Sequence, residues 1–536
     1  MHMHQIRIGL LISFSPCLLV FLCGCTPLSE YIHNGFKVGP NYATPPAPVA
    51  KDWIDAKEVI DAADKRKDKN PDDLTKWWKN LNDPVLDQLI CLAYQQNLTL
   101  REAGFRILQA RAQLGIAVGN SFPQSQFMTG SYDRIANSAE TAGIGLISRA
   151  RFINQWNLGF SVAWEMDFWG RFRRSIESAG ATLDASVEEY DDVLVTLLSD
   201  VATNYVQMRT LEKRIEYAKE NVAIQSDTME NAKARLKAEK NGELILNQAV
   251  ALLRQTEAGI PELEIGLRQT TNRLCVLLGI PPEELREKLG KGPIPMAEPP
   301  AVVGIPADLL RRRPDVRRAE RQAAAQAALI GVAESEFYPH ILLSGTLGYT
   351  AEQFKNVFRG SALNGSFGPS FHWDILNYGR ILNNVRLQDA KFQELMVAYQ
   401  NSVLTAQKEV EDGLVQFIKA QRRAMLQQEC VDAADKAEKI AKQVRKAGGV
   451  DFTTLSLIQQ NKVQQEDTLA QAQGEIALGL IQIYRALGGG WQIRLTGCEP
   501  NASPRILLGP GLSDDSAPAP RAVARFGPPS YPSNPG

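Results

Sequence analysis

The residue that this sequence marks most clearly for chemistry is Cys25. An apolar run, residues 8–22, follows Arg7 and ends in the tetrapeptide Leu22–Cys25. The run is too short and too early for a membrane-spanning helix, so it indicates a secretory signal. Small residues before a cysteine resemble the lipobox of bacterial lipoproteins, which predicts cleavage ahead of Cys25 and covalent lipid at that residue. The alternative is an ordinary signal in which Cys25 stands by chance.

No other set of residues has the spacing of a catalytic or metal site. The histidines of the mature chain are His33, His340 and His372, and they show no metal-ligand spacing. The Gly488–Gly490 run lacks the Lys-Ser/Thr of a phosphate-binding loop and ends a predicted helix rather than starting one. We therefore expect no enzyme activity, no metal and no cofactor apart from the lipid at Cys25.

The remaining mature cysteines are spread widely along the chain. Cys91, Cys275 and Cys430 fall on predicted helices, and Cys498 lies near the C-terminal tail. Their spacing shows neither a metal site nor a disulfide framework. We expect them to be small, buried, apolar side chains.

The two halves of the chain repeat one pattern. Residues 160–171 match residues 369–380, and residues 109–123 match residues 322–339. The copies lie roughly 210 residues apart, far more than a solenoid period, so the repeat is a duplicated domain-sized unit. Each unit predicts a helix, then short strands, then a very long helix.

Each unit contains a predicted strand pair, at about residues 124–166 and 340–374, with alternating side chains. One face is apolar and aromatic, and the other is small and polar, which is the pattern of a transmembrane barrel with lipid outside and water inside. The alternative is an amphipathic sheet on a soluble core, but aromatic residues on short, Gly-punctuated strands beside very long helices favour the barrel. The apolar face includes Trp156, Leu158, Phe160, Val162 and Trp164 in the first copy and Phe367, Pro369, Phe371 and Trp373 in the second.

Two very long helices follow the strand pairs. The first runs from Arg174 to about Lys237 without proline, which corresponds to ~95 Å at the helical rise per residue. Its apolar residues recur in steps of three and four, as in a coiled coil. The second runs from about Arg380 to Lys446.

Each long helix ends in a predicted break, after which a second helix returns. The breaks form two hairpin tips, at Lys240, Asn241 and Gly242 and at Gly448 and Gly449. At the opposite ends of the long helices, Gly170 and Gly379 mark equivalent turns from strand to helix, where little side-chain bulk is tolerated.

Composition narrows the possible partners. The net charge is −1 and no basic block is present, so nucleic acid is not an expected partner. After the signal, no apolar stretch reaches the ~20 residues of a helical membrane span. A mature chain that crosses a membrane must therefore do so within a closed barrel, because lipid cannot satisfy open backbone groups.

Four motifs carry a family resemblance. They are Val38–Tyr42, Trp77-Trp78 before Asp83–Leu86, Leu309–Arg317 and Tyr484–Trp491. In this order they resemble the outer membrane efflux family, the TolC-like channels, and specifically the lipoprotein branch that serves RND pumps. The resemblance covers about Val38 to Trp491, most of the mature chain.

The resemblance implies a mostly α fold with a β-barrel part. Each subunit of a homotrimer would give four strands to a shared twelve-stranded transmembrane barrel, and its long helices would form a coiled-coil periplasmic tunnel. The strand count supports oligomerisation separately, because two strand pairs are too few for a bacterial barrel, which needs about eight or more strands. The implied partners are a periplasmic adaptor (membrane fusion) protein, an inner-membrane RND pump and outer-membrane lipid. Thr26 after the lipidated cysteine is similar to lipoproteins sorted to the outer membrane.

The second hairpin tip is the expected periplasmic entrance. Asp451, Phe452 and Leu455 lie just after the break, where relatives place their constriction. We expect Phe452 and Leu455 to narrow the closed pore and Asp451 to supply a ring of negative charge that favours cations. The alternative is that Asp451 only caps the returning helix. Relatives often carry another acidic residue in the stretch that here reads Ser456–Gln459, so the charge ring depends on Asp451 alone.

The sequence thus predicts an outer-membrane exit duct, driven by an inner-membrane pump, for small molecules. Two alternatives stay open: the outer channel of a type I protein secretion system, and a coiled-coil envelope lipoprotein without a pore. The expected divisions are a signal peptide (1–24), a lipidated extended leader (25–76), a first repeat (77–290), a second repeat (291–491) and a disordered tail (492–536).

Overall fold

Helices dominate the chain. The computed structural model describes residues 27–50, 52–54, 74–136, 152–235, 242–296, 311–446, 449 and 452–498. Among these residues, no helix is both long enough and apolar enough to cross a membrane. The helices are α1 Leu28–His33, a 3₁₀ segment at Leu74–Leu81, α2 Pro84–Gln96, α3 Leu98–Gly119, α4 Arg171–Arg235, α5 Gly242–Leu277, α6 Leu285–Leu289, α7 Pro314–Ser335, α8 Arg380–Lys446, α9 Phe452–Ala486 and α10 Ile493–Thr496.

The helix starts follow local capping chemistry. The Asp83 carboxylate accepts hydrogen bonds from the backbone N–H groups of Val85 and Leu86, at 2.8 and 3.2 Å, and so caps α2. Asn97 caps α3, because its Oδ1 accepts from the Leu100 N–H at 2.8 Å. Pro314 occupies the first position of α7, where its missing N–H costs nothing.

The two very long helices are confirmed. Helix α4 has 65 residues and α8 has 67. Helix α5 continues through Pro261. It ends at Leu277, shortly before Gly279 takes a left-handed φ of 72°.

The strands form one antiparallel sheet in the order β1-β2-β3-β4. The strands are β1 Ser125–Ala136, β2 Phe152–Met166, β3 His340–Ala351 and β4 Leu363–His372. Strand β2 of the first repeat pairs with β3 of the second, with Phe160 opposite Leu347. The duplicated halves therefore contribute to a single sheet, and β1 and β4 are its edges.

The chain divides into two compact units, and each draws segments from both repeats, whereas the predicted divisions follow the repeats. The first unit contains the sheet and the start of the leader. The second contains the hairpin tips and the C-terminal segment. The first comprises residues 1–46, 107–186 and 319–399, and the second comprises residues 47–106, 187–318 and 400–536.

Candidate functional site

The sheet has one apolar and aromatic face, as the alternation predicts. Cross-strand partners share a face, and Trp156 pairs with Tyr132 on one side and with Ala351 on the other. The Trp156 ring lies 4.5 Å from the Tyr132 ring and 5.0 Å from the Phe354 ring, measured between centroids. The same register joins Phe160 to Met128 and Leu347, Trp164 to Leu343, and Phe367 to Gly345.

The opposite face carries small and polar side chains that hydrogen-bond from strand to strand. Asn157 on β2 is the centre of this ladder. Its Nδ2 donates to Ser131 Oγ on β1 at 3.3 Å, and its Oδ1 accepts from Thr350 Oγ1 on β3 at 3.1 Å. Asn364 on β4 continues the ladder by donating to Thr350 Oγ1 at 2.8 Å. These bonds span all four strands, so this face offers polar groups to water.

The two predicted strand-to-helix turns have matching geometry. Gly170 and Gly379 have left-handed φ values of 81° and 80°, which favour glycine. A tryptophan a few residues before each glycine makes an equivalent hydrogen bond. Trp164 Nε1 donates to Ser121 O, just before β1, at 3.2 Å, and Trp373 Nε1 donates to Phe337 O, just before β3, at 2.9 Å. The turns differ in crowding, because a Cβ on Gly170 would lie 2.8 Å from Lys37 Cα.

Residues 37–39 of the leader pack against the first strand-to-helix turn, at Gly170. Arg174, which is 2% exposed, donates through Nε to Val38 O at 3.0 Å and through Nη2 to Gly39 O at 2.6 Å. A Cβ on Gly39 would lie 2.4 Å from Gly331 Cα, so the backbones meet there without side chains. The Val38–Tyr42 motif therefore fixes the leader on the first unit. Sequence reasoning missed the role of Arg174, since nothing in the motif points to a partner that far along the chain.

In the second unit, three of the family motifs pack on one another. Trp77 is fully buried and stacks on Tyr484, with ring centroids 5.4 Å apart. A Cβ on Gly490 would lie 2.6 Å from a Leu198 methyl, and Gly490 also has a left-handed φ of 101°, so both features favour glycine at this position of the closing motif. Arg313 of the inter-repeat motif donates to Ala486 O at 2.6 Å. These motifs therefore form the core that joins the ends of the two repeats.

The chain is folded from Trp491 to Cys498, which corrects two predictions. Cys91 on α2 and Cys498 form a disulfide, with Cα atoms 5.4 Å apart, although the sequence spacing predicts none. Two cysteines 407 residues apart give no spacing signal, because only the fold brings them together. Cys275 is free and buried as expected, whereas Cys430 is free and exposed. The predicted disordered tail also starts too early, since α10 and Cys498 lie within it.

Charged groups surround this C-terminal segment. Asp191 on α4 is fully buried and accepts two hydrogen bonds from Arg494, at 2.6 and 3.0 Å. Arg317 lies over the Trp491 ring at 4.6 Å and pairs with Glu188, with 2.7 Å between Nη2 and Oε2. Burial raises the pKa of Glu188 to about 7, although the Arg317 guanidinium opposes this shift. One carboxyl group of this cluster therefore titrates near neutral pH.

At the hairpin tips, Phe452 and Leu455 belong to the subunit's own core. They are 3% and 5% exposed, and Phe452 packs with Ala232 and Ala249 of the first hairpin. A constriction role for Phe452 and Leu455 stays a prediction that requires them to leave this core.

Gly242 is buried at the start of α5, and Gly449 is exposed between α8 and α9. Lys240, Asn241, Gly448 and Asp451 lie outside the described residues, as does Cys25.

A polar cluster above the tips was missed from the sequence. Lys462 on α9 lies 2.9 Å from Asp435 Oδ1 and 3.0 Å from Glu438 Oε2, both on α8. Burial alone would lower the pKa of Lys462, but these hydrogen bonds outweigh it and raise that pKa. Hydrogen bonds from Lys439 and Lys462 hold the pKa of Asp435 at about 2. Only the packing of the two helices brings these residues together, so neither helix alone predicts the cluster.

Two further links join the hairpins. Arg214 on α4 makes two hydrogen bonds to Asp467 on α9, at 2.6 and 3.1 Å, and Asn221 donates to Glu466 at 2.8 Å. Across the described parts of the chain, no group of three or more His, Cys, Asp or Glu residues could hold a metal ion.

Known proteins share this fold and sequence pattern. The family described as "Outer membrane efflux protein" matches residues 89–280 and 305–489. A pyoverdine export outer membrane protein of Pseudomonas putida, OpmQ, is 30% identical over 421 residues, 78% of this chain and 88% of that protein. A probable outer membrane lipoprotein of Salmonella typhimurium, SilC, is 26% identical over 88% of this chain and 97% of its own length.

A solved structure is also similar to this chain in fold and sequence. The outer-membrane channel OprN superposes with a TM-score of 0.77 at 32% identity, over 85% of this chain and 99% of that one. The fold, the repeat and the motifs define an outer-membrane efflux protein. This chain belongs to the outer membrane efflux protein family, as its motifs predict.

Proposed function

We propose that this chain forms the exit duct of a tripartite efflux system in the outer membrane. The observation that carries the proposal is the sheet, which has an apolar aromatic face, a hydrogen-bonded polar face and two open edges. Such a sheet suits lipid on one side and water on the other. Family membership supplies the same function independently. The duct is passive, and energy comes from the pump to which it couples.

The four strands form part of a trimeric twelve-stranded barrel. Four strands are too few to close a barrel, and open sheet edges are not tolerated in lipid, so β1 of one subunit must pair with β4 of another. Long helices α4 and α8 with their return helices then supply the walls of a periplasmic tunnel. This arrangement brings three copies of each hairpin tip around one axis.

The other partners follow from the assembly. A periplasmic adaptor and an inner-membrane RND pump complete the system, and the pump sets most of the substrate choice. OpmQ is named for pyoverdine export, and relatives such as this support a small molecule as the cargo. An ABC exporter of proteins is the second candidate for the pump.

Lipid at Cys25 anchors the leader to the periplasmic leaflet of the outer membrane. The tetrapeptide Leu22–Cys25 and the lipoprotein relative SilC support this anchor. Each buried acyl methylene contributes ~0.8 kcal/mol, so several chains hold the leader firmly. Cys25→Ala should abolish labelling with radioactive palmitate while the protein still reaches the outer membrane. Undiminished labelling of that variant would show that Cys25 is not the site.

Conductance in planar lipid bilayers tests the duct. The purified full chain should form trimers by light scattering and open discrete, water-filled conductances. Trimers that show no conductance at any voltage the bilayer withstands would instead favour the alternative function, a coiled-coil lipoprotein that bridges envelope layers without a pore. Co-purification with an RND pump and adaptor, rather than with an ABC exporter, decides the partner.

A further inference from the structure

Within the subunit, an aromatic stack closes the base of the sheet between β2 and β3. The Trp169 ring, in the turn after β2, lies 4.5 Å from the Tyr338 ring just before β3, at an angle of 21°. Trp169 Nε1 also donates to Pro339 O at 2.9 Å. This contact joins the first repeat to the second at the turn that Gly170 makes.

The internal repeat assigns each of these residues an equivalent. The match of residues 160–171 with 369–380 pairs Trp169 with Tyr378, and the match of residues 109–123 with 322–339 pairs Tyr338 with Phe122. The structure supports both alignments, because the Trp164–Ser121 and Trp373–Phe337 hydrogen bonds occupy equivalent positions.

The equivalent residues do not meet within one subunit. Tyr378 follows β4 and Phe122 precedes β1, and these strands are the two edges of the sheet. Tyr378 is 97% exposed and Phe122 is 63% exposed. Tyr378 also has a left-handed φ of 50°, which a non-glycine residue rarely adopts and which Trp169 does not share. A large aromatic side chain that is almost wholly exposed, on a backbone of unfavourable φ, is typical of a residue that contacts another molecule.

We infer that Tyr378 of one subunit stacks on Phe122 of the partner subunit, as Trp169 stacks on Tyr338 within a subunit. The inference rests on the proposed assembly and specifies its interface. Where β4 of one subunit meets β1 of the next, the duplicated halves repeat the β2–β3 junction, so the stack occurs at every subunit boundary. The occupant of this surface is therefore a second copy of the chain.

Disulfide trapping tests the contact in the full chain. The background is Cys430→Ser, because Cys430 is the exposed free thiol. Phe122→Cys combined with Tyr378→Cys should give covalent dimers and trimers on mild oxidation of membranes, and reduction should return them to monomers. The matched control combines Phe122→Cys with Phe367→Cys. Phe367 is 76% exposed on β4 but lies roughly 15 Å or more along the strand from the turn, so it should not cross-link.

A second measurement needs no cysteines. Tyr378→Ala should lower the temperature at which the detergent-solubilised trimer dissociates by several degrees, whereas Tyr378→Trp should keep it near the wild-type value. Equal lowering by both variants would count against stacking. An unchanged temperature for Tyr378→Ala would overturn the inference in favour of a ring that contacts lipid headgroups.

The outcomes separate this inference from the proposed function. Trimers by light scattering without the Phe122–Tyr378 cross-link would refute the stack and leave the duct standing. Absence of trimers altogether would refute both. Cross-linking of the control pair at equal yield would show an unspecific collision and would also refute the stack.

Discussion

Arg494 and Asp191 form a two-point ion pair that joins the C-terminal segment to the first third of α4. The distances are 2.6 Å from Nε to Oδ1 and 3.0 Å from Nη2 to Oδ2, and Asp191 has no exposed surface. Burial raises the pKa of Asp191 even though the Arg494 guanidinium opposes the shift. The Arg494 guanidinium therefore supplies most of the interaction that offsets the cost of burying the ionised Asp191 carboxylate.

Removing that guanidinium should destabilise the protein strongly. Arg494→Gln leaves the buried carboxylate with only the more distant Arg317 guanidinium, 3.9 Å away, and the loss of the close partner costs about 3–5 kcal/mol. The matched control is Arg423→Gln. The side chains of Arg423 and Glu475 are 48% and 37% exposed, so their ion pair contributes at most about 1 kcal/mol. Urea unfolding followed by circular dichroism measures both. Equal losses for the two variants would contradict the buried role of the Asp191 pair.

The Cys91–Cys498 disulfide predicts a defined thiol count. After denaturation, prior reduction should make two more thiols available to a maleimide reagent than in the unreduced protein. Cys498→Ser should abolish that difference and free one thiol, on Cys91, without reduction. The bond should contribute about 2–5 kcal/mol, so a reducing agent should lower the unfolding temperature of the wild type but not of Cys498→Ser. Cys430→Ser is the control: it has one thiol fewer in total, but it should keep the two-thiol difference and the wild-type response to a reducing agent. Identical thiol counts with and without reduction would disprove the bond.

Glu188 should make stability depend on pH. Its folded pKa of about 7 lies above the ordinary value of 4.5, so the folded state holds a proton that the unfolded state releases. Stability should therefore be greatest below about pH 4.5, fall as pH rises to about 7, and then level off as far as this group is concerned. Glu188→Gln should flatten this fall in thermal unfolding curves collected across the range. Asp191 belongs to the same cluster, and burial raises its pKa as well, so an unchanged slope in Glu188→Gln would assign the titration to Asp191.

Asp451 should reveal whether it supplies charge to the pore. Asp451→Asn can still cap a helix but removes the negative charge, so cation selectivity of the bilayer conductance should fall while stability stays nearly unchanged. Asp451→Ala loses the cap as well and should cost ~1 kcal/mol. Unaltered selectivity in Asp451→Asn, together with lower stability in Asp451→Ala, would leave Asp451 as a cap alone.

Local signals predicted most of the fold. The glycines at 170 and 379 and the alternation around Trp156 each depend on residues close in sequence, and the structure agrees with both. The contacts that sequence reasoning missed join distant segments: Cys91 to Cys498, Arg174 to Val38, and Lys462 to Glu438. Periodicity carries no information about such pairs, because their partners are chosen by packing. The burial of Phe452 has the same origin, since an apolar residue beside a break suits a pore wall or a core equally well.

The two turn glycines offer a matched test of crowding at the base of the sheet. Gly170 and Gly379 have nearly equal φ values, so replacement by alanine strains both backbones by a similar ~1–2 kcal/mol. Their surroundings differ. A Cβ on Gly170 would lie 2.8 Å from Lys37 Cα, whereas the nearest atom to a Cβ on Gly379 is Asn383 Nδ2 at 3.6 Å.

Gly170→Ala should therefore push the leader away from the turn, and Gly379→Ala should cost only the backbone strain. Limited proteolysis of the leader measures the difference, because a displaced Lys37 becomes a site for trypsin. Cleavage there should be faster in Gly170→Ala than in the wild type and unchanged in Gly379→Ala. If the two variants are cleaved at the same rate, the leader does not depend on the close approach at Gly170, and the glycine serves the turn alone.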